Sequence, residues 1–137
     1  MRAAVIETYG PPAVVHVREV PRPAPGAGQV LVRVRAAAVT SADARIRGAS
    51  FPPGFGVPAR LAFGVRRPRR RILGSCVSGT VEALGTDVDG LAEGDEVCGM
   101  TGTAMGAHAQ FVAVPTDRLV AKPATVSHED AAGVLFG

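Results

Sequence analysis

Glycine and proline interrupt this chain so often that no long helix can run through it, with seventeen glycines and eleven prolines spread over 137 residues. Inside a helix each glycine costs about 1 kcal/mol and each proline about 3 kcal/mol relative to alanine. The runs left between them are short and rich in Val, Ile and Leu, which suits a pleated, half-buried surface. The spacing therefore predicts a mainly β domain with a few short helices. Hydrophobic residues make up 47% of the chain and aromatic ones only 4%, so the core has to be built from Val, Leu, Ile and Ala. That apolar share excludes a disordered chain, and this length fits one domain with one core.

Strands are expected at Arg2 to Glu7, Val14 to Glu19, from Val30 onward, Ile72 to Leu84, Asp95 to Met100, His108 to Val114 and Leu119 to Lys122. From Val30 the residues alternate, Val30, Val32 and Val34 against Leu31, Arg33 and Arg35, which predicts one polar face. Val20 to Gly28 carries three prolines and reads as an extended connector. At Ser41 the period changes to that of a short helix, with Thr40 or Ser41 as its N-cap and Gly48 just beyond its end. A second helix is expected to begin at Ser127, with Asp130 at the capping-box position. It runs into apolar Val134, Leu135 and Phe136. Residues 49–71 hold four prolines, three glycines and an arginine run, and read as a long, exposed, mobile loop. Gly74 and Gly79 suggest a strand bent or bulged so that another group can approach its backbone.

Five arginines, Arg66, Arg67, Arg69, Arg70 and Arg71, account for the net charge of +3. Without them ten basic residues stand against twelve acidic ones. The run reads either as a solvated loop or as a site for an anion, since guanidinium forks match phosphate oxygens. No aromatic residues interleave to stack bases, which argues against nucleic acid. No apolar run reaches the roughly 18 residues of a membrane span, and residues 1–9 are too short for a secretory signal. The expectation is a soluble cytoplasmic chain with neither nucleic acid nor membrane as partner. Cys76 and Cys98 form no C-x-x-C, so no disulfide scaffold or structural zinc is expected. His16, His108 and His128 are isolated in sequence and read as structural.

The glycines also have a joint spacing. Pro25-Gly26-x-Gly28-x-Val30-Leu31-Val32 is followed by Leu73-Gly74-x-x-Val77-x-Gly79-x-Val81, then by Gly85-x-x-Val88-x-Gly90-x-x-x-Gly94-Asp95-x-Val97. This succession resembles the N-terminal GroES-like domain of medium-chain dehydrogenases/reductases, in particular the quinone-oxidoreductase-like branch, over residues 1–137. The resemblance implies a partly open β-barrel that forms one wall of an active-site cleft. In such enzymes the other wall is a Rossmann domain carrying NAD or NADP. No G-x-G-x-x-G occurs in this sequence, so no cofactor is expected on this chain alone, and a nucleotide-binding domain is expected to act in cis or in trans.

Zinc-dependent members are similar to Cys-His-x-Asp at the helix start and Gly-His-Glu on the bent strand. The matching positions here are Thr40-Ser41-Ala42-Asp43 and Gly74-Ser75-Cys76. Hydroxyls replace both first ligands, whereas a catalytic zinc takes three ligands from Cys, His and carboxylates. The resemblance therefore implies zinc independence. It places Thr40 and Ser41 in the cleft, where a hydroxyl can either cap the helix or donate to a carbonyl oxygen gaining charge. Asp43 is a candidate catalytic or supporting carboxylate, and Ser75 and Cys76 are candidate cleft residues. The implied reaction is NAD(P)H-dependent reduction of a quinone or activated double bond in a small-molecule substrate. The alternatives are a non-catalytic GroES-like binding or oligomerisation module, associating through the C-terminal segment, and a fragment of a divergent alcohol dehydrogenase.

Overall fold

The structure is a computed structural model and describes residues 1–136. Gly137, the last residue of the expected domain, lies outside the described residues. Two antiparallel sheets form. In the first, β1 (Arg2–Ile6) pairs with β2 (Val15–Glu19) through a 3₁₀ turn at Pro12–Val14. The second contains β3 (Gln29–Ala37), β4 (Cys76–Leu84), β5 (Glu96–Met100), β6 (Phe111–Pro115) and β7 (Leu119–Ala121), in the order β6-β3-β4-β5-β7. β1 is tied to the segments that precede β6 and β4 by the isolated bridges Ala3–Ala109 and Val5–Ile72. Neither sheet closes, so the architecture is the expected mainly β, partly open barrel with short helices α1 (Ser41–Gly48), α2 (Gly56–Phe63) and α3 (His128–Gly133).

Valine dominates the core, as the scarcity of aromatics required. Val30, Val32, Val77, Val81, Val97, Val112 and Val114 form it together with Leu119. Leu31 departs from the alternation: it is 2% exposed although its neighbours Val30 and Val32 are buried on the opposite face. β3 is an inner strand between β4 and β6, and Arg33 and Arg35, on the same row as Leu31, are exposed as the alternation predicts.

Residues 49–71 are mostly exposed, as expected, but are not a loop throughout. They contain α2, and they are pinned at several points. Phe51 stacks on Phe63 with ring centroids 6.2 Å apart, and both pack on Ile6, Ile46, Leu73 and Met105. The Tyr9 hydroxyl donates to Phe63 O (3.0 Å) and Gly64 O (2.7 Å). Arg69 N donates to Phe63 O at 2.8 Å and Ile6 N to Arg71 O at 2.8 Å. Burial pushes the Tyr9 phenol up from its ordinary value, against the opposing pull of the nearby Arg60 and Arg69 guanidiniums.

A polar clasp fixes α3 to the sheet. Ser127 caps the helix, its Oγ accepting from Asp130 N at 3.0 Å. His128 reaches Ser78 Oγ through Nδ1 (2.7 Å) and Glu96 Oε1 through Nε2 (3.1 Å). Lys122, whose side chain is 4% exposed, pairs with Glu96 Oε2 at 3.2 Å and donates to Val126 O at 2.6 Å. Hydrogen bonds from Lys122, then His128, hold the Glu96 carboxyl below its ordinary value. The stabilisation from Glu96 is therefore complete above the ordinary carboxylate range and is lost as pH falls through its lowered folded value. Replacing Glu96 by Gln should flatten the fall in melting temperature between neutral pH and about pH 3, measured by thermal scans. Parallel curves for the two proteins would contradict this.

Candidate functional site

The chain leaves β3 extended and turns into α1 at Thr40, whose φ of −112° and ψ of 167° are those of a helix N-cap. Thr40 Oγ1 accepts from Asp43 N at 3.4 Å and donates to Asp43 Oδ2 at 2.9 Å, while Thr40 N donates to the same oxygen at 2.8 Å. This reciprocal box satisfies helix-end donors that would otherwise be buried without partners. The other carboxylate oxygen, Oδ1, accepts from Gly74 N at 2.9 Å. Asp43, 4% exposed, thus ties the start of α1 to the bend that precedes β4.

That bend requires glycine. Gly74 has φ +90°, and a Cβ there would lie 2.5 Å from His108 Cδ2. His108 Nε2 lies 3.1 Å from Ala38 O. Because a carbonyl only accepts, Nε2 carries the proton. His108 therefore clamps the end of β3 against the bend, a structural role as expected, though not in isolation. His128, also read as structural and isolated in sequence, is brought by the fold between Ser78 and Glu96. Ser78 is fully buried and also within 3.1 Å of Val97 O, so the trio is a clasp with no accessible nucleophile.

The five candidate residues meet at one place in the fold but are not equally available. The Thr40 proton is committed to Asp43. Ser41 is exposed at the first position of α1, and its hydroxyl has no partner among the described residues. Ser75 is buried with its Oγ 3.8 Å from Cys76 Sγ, and Cys76 is fully buried behind it. Thr101 supports this turn, its N donating to Ser75 O at 2.7 Å. Beside the box, between the β1–β2 hairpin and α1, lies a cavity of about 500 Å³. Its walls include Val15, Val39, Ala44, Arg47, Leu73 and His108, a largely apolar surface of the kind that holds small ligands. Nothing in the sequence marks this cavity, because its walls come from five separate stretches of the chain: Ala4, Pro12 with Val15, Val39 to Arg47, Leu73 and His108.

The alcohol dehydrogenase GroES-like domain family matches residues 26–124. The quinone oxidoreductase of Pseudomonas aeruginosa is 32% identical over 128 residues, covering 93% of this chain and 35% of that protein. The trans-enoyl reductase BOA5 of Botryotinia fuckeliana is 33% identical over 137 residues, covering 98% of this chain and 32% of that protein. Among solved structures, the quinone oxidoreductase of Coxiella burnetii superposes with a TM-score of 0.82 at 29% identity, over 96% of this chain and 40% of that one. The chain spans about a third of the length of the curated relatives it matches.

Proposed function

The chain belongs to the alcohol dehydrogenase GroES-like domain family, with quinone oxidoreductases of the medium-chain dehydrogenase/reductase superfamily among its relatives, and on that premise we propose that it forms the substrate-side wall of an NAD(P)H-dependent reductase. The substrate in this reading is a small quinone or an activated carbon-carbon double bond. What carries the reading is Ser41, a hydroxyl with no partner among the described residues, on a helix start that the Thr40–Asp43–Gly74 hydrogen bonds fix. The ladders of both sheets are antiparallel, so the described residues offer no parallel βαβ crevice for a dinucleotide. The reading therefore assigns the cofactor to a nucleotide-binding domain, in cis or in trans, and residues 1–137 to the GroES-like one. When bound there, NAD(P)H supplies the hydride.

This chain's residues then bind and polarise. Ser41 donates its proton in a hydrogen bond to the carbonyl oxygen that gains charge, and a positioned donor of this kind stabilises the transition state more than the ground state. Thr40 and Asp43 position Ser41. Ser75 borders the cleft, and Cys76 backs it. Zinc does not fit: two hydroxyls and a carboxylate already holding three donor hydrogens are not a zinc ligand set, and among the described residues no three His, Cys, Asp or Glu side chains gather.

In an enzyme completed with its nucleotide-binding domain, Ser41→Ala should lower kcat/KM about tenfold or more with an unchanged melting temperature. An unchanged rate would remove Ser41 from the chemistry. Elemental analysis should find no stoichiometric zinc, and about one tightly held zinc per chain would overturn this choice of branch.

A further inference from the structure

The segment from Phe55 to Arg71 combines two features that neither the core nor the proposed cleft uses. It carries six arginines, Arg60, Arg66, Arg67, Arg69, Arg70 and Arg71, all exposed. Among the described residues none of them forms an ion pair. No acidic residue occurs anywhere from Ala44 through Val81, so no neighbour in the sequence neutralises the cluster. Interleaved with the arginines are large apolar side chains in solvent: Phe55 is 67% exposed, Val57 72%, Leu61 58% and Val65 54%.

This arrangement is held in place. On α2, Ala59 and Phe63 are half-buried one turn apart and Phe63 packs against the core, while Val57 and Leu61, also one turn apart, project from the opposite side. Tyr9 grips the end of α2, Pro68 is buried, Arg69 N bonds back to Phe63 O of α2, and Arg71 O accepts from Ile6 N of β1. Exposed guanidiniums and exposed aliphatic side chains thus occur within one anchored segment of seventeen residues.

We propose that α2 and the arginine segment form a docking surface for an anionic lipid bilayer. Val57 and Leu61, flanked by Phe55 and Val65, enter the boundary between headgroups and acyl chains, while the arginines pair with lipid phosphates. A surface helix bearing apolar side chains beside basic ones lies in the membrane interface without crossing it. Basic side chains near an anionic leaflet add a salt-screened attraction. A nucleic acid would use the arginines but would leave the exposed aliphatic side chains unburied, so the lipid surface matches both features. No helix among the described residues is long and apolar enough to cross a membrane, and the expectation of no membrane partner rested only on the lack of a span. This inference is independent of the reductase reading.

The test is co-sedimentation of the 137-residue chain with vesicles of phosphatidylcholine alone, and with vesicles containing about one fifth phosphatidylglycerol. Partitioning should be at least fivefold greater onto the anionic vesicles and should fall steeply as salt rises. Replacing Arg66, Arg67, Arg69 and Arg70 by Gln should reduce it tenfold or more. Val57→Ser with Leu61→Ser should reduce it at least threefold, with the melting temperature unchanged. Should the fourfold variant unfold, the double variant Arg66→Gln with Arg67→Gln carries the same expectation at smaller amplitude, since neither side chain anchors the fold. Equal partitioning onto both vesicles, no partitioning, or indifference to the variants would overturn the proposal. So would binding of a short DNA duplex as tight as that of the anionic vesicles and unaffected by the Val57 and Leu61 changes, because the site would then be a general polyanion surface.

Discussion

Replacing Asp43 by Ala should destabilise the fold by about 3 to 5 kcal/mol, because it strands three buried donors at once. Thr40 N, the Thr40 hydroxyl and Gly74 N all bond to this one carboxylate. A buried donor left without a partner costs about 1 to 3 kcal/mol, and loss of the cap adds about 1 kcal/mol. Asp43→Asn should lie between, since its amide oxygen still accepts from one side while its NH₂ meets a donor on the other. Thermal denaturation decides: the Ala variant should melt roughly 10 °C lower or worse. A melting temperature within about 2 °C of the parent would mean that α1 and the bend at Gly74 hold each other by some other means, and the positioning role of Asp43 would fall with it.

Gly79→Ala should be as damaging, for a steric reason. Gly79 lies at the middle of β4, opposite Val34 of β3 and Val97 of β5. A Cβ there would sit 2.2 Å from Arg33 O and 2.8 Å from Val32 Cγ1. Neither atom can move away cheaply: one is inner-strand backbone, and the other belongs to a core side chain that is 0% exposed. The β3–β4 pair would have to separate at its bulge between Val34 and Ala36, at a cost of about 3 kcal/mol or more. Gly56→Ala is the comparison. A Cβ at Gly56 meets nothing within 4 Å, and alanine favours the helix, so this change should be neutral or slightly stabilising. Equal melting temperatures for the Gly79 and Gly56 variants would refute the steric account.

What the sequence made legible follows from the range of the interactions involved. Thr40 and Asp43 are three residues apart, so the box that starts α1 could be read locally. The end of α1 could not: Gly48 stays within the helix and Ala49 takes the left-handed position, φ 49°, with its N–H on Arg45 O and Ile46 O. Alternation located β3 and its exposed arginines, Arg33 and Arg35, but misplaced Leu31, whose burial comes from neighbours outside the strand. α2 was hidden by its own composition. Pro58 is tolerated in a first turn, but beside Pro52, Pro53, Gly54 and Gly56 it reads as loop. What orders the segment is contact with Tyr9 and the Phe51–Phe63 stack, and Tyr9 is 54 residues from its acceptor Phe63. The clasp at His128 joins residues 50 and 32 positions away, beyond any spacing rule. At the candidate site the sequence supplied residue types and the family, while the geometry shows which hydroxyl is already committed and which is available.

The most direct test of the central claim is a chimera in which residues 1–137 replace the matching N-terminal segment of the Pseudomonas aeruginosa quinone oxidoreductase. Its rate of NADPH oxidation, followed by the absorbance of the reduced nicotinamide, would be measured with 1,4-benzoquinone and with an α,β-unsaturated ketone. The account predicts turnover of at least one of them, undiminished by a zinc chelator, and none by residues 1–137 alone, since productive hydride transfer requires donor and acceptor held at about 3 to 3.5 Å. A folded chimera that binds NADPH yet reduces neither compound would contradict it, and the chain would then be a binding module built on this fold.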